Sequence, residues 1–117
     1  MRDDLIKRYE KARQITVAVD DYTFTARRPN DVEIGRLGKV EGTVGLYEIA
    51  REFVDDWGPA FTEADFIKGG ASDVLPFERV LWAIWLADRP QLWGPIANGV
   101  VEAYREHAKA REDAKKN

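Results

Sequence analysis

The chain has one histidine, His107, one serine, Ser72, and no cysteine. Those types allow Ser–His acyl transfer, which needs the hydroxyl within hydrogen-bond reach of the imidazole and a third group to orient the base. His107 closes an apolar stripe of Ile96, Val100, Ala103 and Tyr104, with no carboxylate and nucleophile at a recognisable spacing, and reads as a partly buried structural histidine. Ser72 lies in a Gly-rich loop outside any GxSxG pattern, where a serine ordinarily makes a turn. Asp20-Asp21 and Asp55-Asp56 lack the alternating oxygen ligands and central glycine of a calcium loop; a turn and a helix C-terminal boundary account for them. Glycoside hydrolysis needs two positioned carboxylates, but with 21 acidic side chains any nominated pair carries no information. The absence of cysteine excludes disulfides, thiolate metal sites and a cysteine nucleophile. No catalytic, metal-ligating or cofactor-binding residue is assigned, and a non-enzymatic protein is expected.

The residues left to carry function are aromatic. All four tryptophans fall between Trp57 and Trp93, and the run Pro76–Asp88 is apolar almost all the way round a helix. Such a helix must be buried on every side or docked against a partner. On a wheel Phe77, Val80, Leu81 and Ile84 share one side, expected to be core, and Trp82 and Trp85 lie on an adjacent one. Trp82 and Trp85 either complete the core or act as docking anchors, since tryptophan is enriched among interface hot spots. Trp57 and Trp93 flank them, so the four rings can form one cluster. Trp57, Trp82, Trp85, Leu86 and Trp93 are therefore the candidate protein-binding residues.

The elements that must position these residues are legible along the chain. Asp3 or Asp4 can cap a helix over 1–13 with Leu5, Ile6 and Tyr9 as a short apolar face. Ile15–Val19 and Tyr22–Ala26 alternate as two strands joined by Asp20-Asp21, a poorer turn than Asp-Gly, so a bulge or longer loop is allowed. Two strands are marginal alone, so this hairpin, 15–27, must lean on helices or pair with another subunit. Pro29-Asn30-Asp31 can start a helix carrying Val32, Leu37 and Val40. Gly35, Gly38, Gly42 and Gly45 either line a side-chain-free face that admits another backbone or break the helix, each costing about 1 kcal/mol relative to Ala. None sits in a phosphate-loop pattern.

From Val44 the residues Leu46, Ile49, Ala50, Phe53 and Trp57 give the face of a core helix, stopped by Gly58-Pro59. Thr62 and Asp65 resemble a capping box for a short helix anchored by Phe66-Ile67 and ended by Gly69-Gly70. Pro76 is placed as the first residue of the aromatic helix, which runs to Asp88. Asp88 as cap and Pro90 as first residue restart a final helix, giving a C-terminal helical hairpin with a tight corner. Gly94-Pro95 should kink or restart it, and 108–117 is expected to fray. The reading is one domain of 117 residues, α+β and predominantly helical, with a helical body over 30–107.

The net charge of −3 hides a division. Residues 1–28 carry seven basic and five acidic side chains, and residues 29–88 carry five basic and twelve acidic. That asymmetry can steer head-to-tail self-association, so a homo-oligomer is allowed, but it is a poor footing for nucleic acid. The longest apolar run is far short of the roughly 20 residues of a spanning helix, and Met1-Arg2-Asp3-Asp4 does not begin as a signal peptide does. No membrane partner is expected.

A resemblance emerges from several short phrases: Ile15-Thr16-Val17, Phe24–Pro29, Val54–Gly58, Phe61–Asp65, Pro76-Phe77-Glu78 and Trp82–Trp93. In this order, after a basic-acidic first helix, they resemble the tail assembly chaperones of long-tailed, siphovirus-like bacteriophages and prophages, over nearly the whole chain. The resemblance implies a protein of the bacterial host cytoplasm that coats the tape-measure protein, keeps it from aggregating and hands it to the polymerising major tail protein. Such chaperones are often made in two lengths by a minus-one frameshift; Lys115-Lys116-Asn117 can be encoded by a run of A followed by AAC, a slippery sequence. The alternative is a small phage or bacterial regulator or inhibitor that binds a single host protein through the same tryptophan surface without oligomerising.

Overall fold

The computed structural model describes residues 2–37, 42–58 and 61–116. Among the described residues five α-helices and three strands run in the order α1 (Arg2–Ala12), β1 (Gln14–Val19), β2 (Tyr22–Arg27), α2 (Asp31–Leu37), α3 (Gly42–Phe53), β3 (Val54–Asp56), α4 (Arg79–Ala87) and α5 (Pro90–Lys116). The architecture is α+β and mainly helical, with a small antiparallel sheet near the N-terminus packed on helices. Gly38, Val40 and Pro59, named above as helix breakers or apolar positions, lie outside the described residues.

The alternating pattern of β1 and β2 places Val17, Val19, Phe24 and Ala26 on one face, where they are buried against the helices. The hairpin closes in two residues, Val19 pairing with Tyr22, with no added bulge. Asp20 takes the left-handed backbone the corner needs, φ 53°, which aspartate tolerates better than most residues. A third strand supplies the support that two strands lack: β3 pairs antiparallel with β2. This corrects the expectation of one helix from Val44 to Trp57, because α3 ends at Phe53.

The cause of that ending is tertiary. The last four carbonyls of a helix have no partner inside it, and in α3 distant side chains take three of them. Trp82 Nε1 donates to Ala50 O at 3.2 Å, Arg79 Nη1 to Arg51 O and Glu52 O, and Arg27 Nη1 to Glu52 O at 2.8 Å. The carboxylate of Asp55 then joins Arg27 and Arg79 at 3.0 and 2.9 Å. Asp55 thus ties β3 to Arg27 of β2 and Arg79 of α4, while Asp56 accepts from the Gly58 N–H.

Local chemistry explains the other boundaries. Asp3 and Asp4 lie in the first turn of α1, where negative charge is favourable, and the helix already includes Arg2. Asn30 Oδ1 accepts from the Glu33 N–H while Glu33 Oε1 accepts from the Asn30 N–H, a reciprocal cap for α2. The Asp65 carboxylate accepts from the Thr62 N–H at 2.7 Å, as the Thr-Asp spacing predicts, but only one 3-10 turn, Glu63–Asp65, follows. Pro76 is not the first residue of α4. Glu78 caps it, its carboxylate accepting from the Val80 and Leu81 N–H groups. Pro90 does open α5, and Pro95 lies inside that helix without restarting it. Its missing N–H frees only the carbonyl of exposed Gln91, which water can satisfy. Residues 108–116 are helical. Helix α5 runs to Lys116, and Arg111 grips Asp31 of α2 with two hydrogen bonds at 3.1 Å.

Of the glycine series, Gly35 sits within α2 with open space where a side chain would be, and no other backbone of this chain approaches it. Gly42 starts α3 at φ +74°, and α3 continues through Gly45. Helix α2 ends at Leu37 and α3 begins at Gly42, and no backbone of this chain lies against Gly35.

Candidate protein-binding surface

Four of the five candidate docking residues prove to be interior. Trp57, Trp82, Trp85 and Leu86 are buried and Trp93 is half-buried. The cluster of four rings is partly realised: Trp82 stacks on Trp85 at 5.6 Å, Phe61 links Trp85 to Trp57 at 4.9 Å each, and Phe24 lies 5.1 Å from Trp82. Trp93 stands apart against Tyr47 at 5.1 Å. Three indole N–H groups serve backbone carbonyls, Trp57 to Leu75 O, Trp82 to Ala50 O and Trp93 to Leu86 O. Buried tryptophans ordinarily satisfy their N–H in this way. They hold α3, α4, α5 and the 61–77 loop together and are not available to a partner.

The corrected phase of α4 creates the surface that the sequence reading missed. Trp82, Trp85 and Leu86 face the core, and the opposite side carries Val80 and Ile84, 63% and 56% exposed. These two residues had been assigned to the core. With Tyr47 of α3, whose hydroxyl donates to Ala83 O at 3.1 Å, they line a shallow trough of about 350 Å³. Arg51 and Arg79 stand at one end of it. Both are engaged, Arg51 with Glu48 and Arg79 with Asp55, yet Arg51 Nε is buried without a hydrogen-bond partner. Asp88 is exposed at the other end of α4.

A second uncovered apolar face lies on α1. None of its residues is buried, and Leu5, Ile6 and Tyr9 are all at least half-exposed. The helix is fixed at its C-terminal end only. Arg13 donates from Nε to Arg28 O at 2.8 Å, pairs with Glu33 and lies over the Tyr9 ring. The Leu5/Ile6/Tyr9 stripe was legible in the sequence, but that all three residues stay at least half-exposed was not.

The residues weighed for chemistry do not converge. Ser72 is exposed in the 61–77 loop and is not among the residues that line the groove around His107. Asp20-Asp21 forms the hairpin corner. His107 lines a groove between α1, α2 and α5 with Tyr9, Arg28 and Asp31. Burial and the cations of Arg28 and Arg111 hold its imidazole below the usual value, against the pull of Asp31. Asp31 accepts from Tyr104 at 2.7 Å and from Arg111; these bonds lower its carboxyl and raise the Tyr104 phenol. This network ties α5 to α2. Among the described residues no group of three or more His, Asp or Glu is placed to hold a metal, and no helix is long and apolar enough to cross a membrane.

Comparison of the chain with protein-family models, with curated proteins and with solved structures finds no match.

Proposed function

We propose that this protein is a non-enzymatic tail assembly chaperone of a long-tailed, siphovirus-like bacteriophage or prophage, binding the tape-measure protein in the host cytoplasm before the major tail protein polymerises. The sequence phrases set out above motivate the family. The observation that carries a binding role is the uncovered apolar side of α4, where Val80 and Ile84 stand exposed beside Tyr47 on a domain whose core is otherwise well filled. Contiguous apolar surface of this kind marks interaction sites. An amphipathic helix laid along the trough is the partner geometry it fits, with apolar residues at three- and four-residue spacing. The client surface is thus assigned to the Val80/Ile84 side of α4, and the tryptophans act as the scaffold behind it.

The test is co-expression with a neighbouring tape-measure candidate, following solubility and co-purification, for wild type and a Val80→Asp, Ile84→Asp double variant whose fold is checked by circular dichroism. A soluble complex with wild type that is lost in the folded variant supports the assignment. If wild type neither solubilises nor retains the candidate, the chaperone reading gives way to the regulator of a single host protein.

A further inference from the structure

Arg28 is a half-buried cation without a counter-charge. Among the described residues its guanidinium makes one hydrogen bond, from Nη1 to the neighbouring carbonyl of Pro29 at 3.2 Å, and no carboxylate pairs with it. Arg13, Arg27 and Arg111 each have such a partner. Arg28 lines the groove of about 240 Å³ between α1, α2 and α5, where the charges do not cancel. The carboxylate in that lining, Asp31, is taken up by Arg111, which donates to both of its oxygens at 3.1 Å, and by the Tyr104 hydroxyl. One positive charge is left over, on a chain whose net charge is −3. Asn30 lines the same groove. Its Oδ1 is committed to the Glu33 N–H, which leaves the amide nitrogen as a donor with no partner among the described residues. His107 stands beside them, and burial together with Arg28 and Arg111 opposes its protonation against the pull of Asp31. The remaining titratable side chain of the lining is Tyr9 of α1.

We infer that this groove is a binding site for a compact oxyanion, a carboxylate or a phosphoryl group, held by Arg28, Asn30 and His107. All three side chains offer N–H groups, and hydrogen bonds from a charged donor to an oxyanion are the strong ones. The half-buried setting strengthens the attraction further, because less water screens it. A bound anion also supplies the negative charge that His107 lacks, so anion binding and protonation of the imidazole favour one another. Affinity therefore rises as pH falls through the His107 value. The site shares no residue with the α3–α4 trough, so it stands or falls separately from the client surface.

His107 is the only histidine, so its ring Cε1–H proton resonance reports on this site alone. The experiment follows that resonance in the full chain from about pH 5 to about pH 8, with sodium sulfate or sodium acetate added and ionic strength held constant with sodium chloride. Sulfate stands for a phosphoryl group and acetate for a side-chain carboxylate. At least one of them should move the His107 midpoint up, saturably, by about one pH unit, and the tighter of the two tells which ligand class the groove takes. Arg28→Gln keeps the backbone bond from the Arg28 N–H to Arg13 O and should bind about tenfold more weakly or worse. Without anion the same substitution should itself lift the midpoint, since a cation that opposes protonation has gone. A side chain that only packs would not do both. Asn30→Asp keeps the cap of α2, because aspartate caps as well as asparagine, yet sets a negative charge against the ligand and should weaken binding too. A midpoint that stays in place with both anions, one that drifts without saturating, or a variant that is folded by circular dichroism and binds as tightly as wild type overturns the inference.

Discussion

Trp82 offers the sharpest test of the claim that the tryptophans are scaffold. Its side chain is fully buried, packs on Trp85 and Phe24, and donates to the carbonyl of Ala50, which is itself fully buried. Trp82→Ala removes the packing, at about 3–5 kcal/mol, and leaves that carbonyl without its donor, at about 1–3 kcal/mol. The two losses share one site and overlap, so about 4–6 kcal/mol is expected. A domain of this length has roughly 6–18 kcal/mol in all, so the variant sits near the edge of folding. Trp82→Phe keeps one ring and loses the donor and the second ring, about 2–3 kcal/mol. At a urea slope of about 1.5 kcal/mol per molar its midpoint should fall by about 1.3–2 M with the slope unchanged. Iodide should quench wild-type tryptophan emission poorly. A Trp82→Phe loss below about 1 kcal/mol together with strong iodide quenching would refute the burial and return Trp82 to the list of docking anchors.

Val80→Asp with Ile84→Asp should leave stability within about 0.5 kcal/mol of wild type, as exposed substitutions usually do, and a urea titration beside Trp82→Phe shows the contrast. Gly99→Ala should destabilise by about 1–2 kcal/mol in the same titration despite the better helix former, because the new methyl meets the Val17 side chain at 3.0 Å where α5 crosses β1. For Glu33, burial opposes ionisation but the Asn30 N–H, Arg13 and Arg27 prevail, so its folded pKa lies below the ordinary 4.5. The unfolded chain then binds more protons between the two values; the stabilisation is present above pH 4.5 and is lost as pH falls through the folded value. Glu33→Gln should flatten that acid limb of a stability–pH profile, and an unchanged limb would count against the network. His107 is also depressed, so its contribution is present above its ordinary 6.5 and declines as pH falls below it; His107→Gln should remove that slope.

The sequence was most informative where structure is local. The alternation of Ile15–Val19 and Tyr22–Ala26, the helix start at Pro29-Asn30-Asp31, the Thr62-Asp65 spacing and Pro90 as a first residue each act within a few residues of themselves, and each appears in the structure. The errors share a different cause. Val54-Asp55-Asp56 continues the helical spacing that leads to Trp57, and nothing nearby marks a stop. The stop comes from Arg27, Arg79 and Trp82, which lie at least 24 residues from the carbonyls or carboxylate they bind. Likewise the stretch after Ala108 looks like a solvated tail until Arg111 reaches Asp31, 80 residues earlier in the chain. A charge pattern shows which residues can pair but not which ones the topology brings together.

The phase of α4 was illegible for a different reason, and that reason bears on function. A helix apolar on every side carries no periodic signal, so its core face is chosen by size and by hydrogen bonding. Two indoles remove more area from water than Val80 and Ile84 do, and Trp82 can also satisfy its N–H on a carbonyl that α3 leaves free. The indoles therefore turn inward, and the β-branched pair is left outside. A monomer needing only solubility would have polar residues there, as helices α1 and α5 do over most of their surface. Val80 and Ile84 contribute little to the fold in that position, so a surface assigned to a partner is the reading under which their apolar character has a physical use.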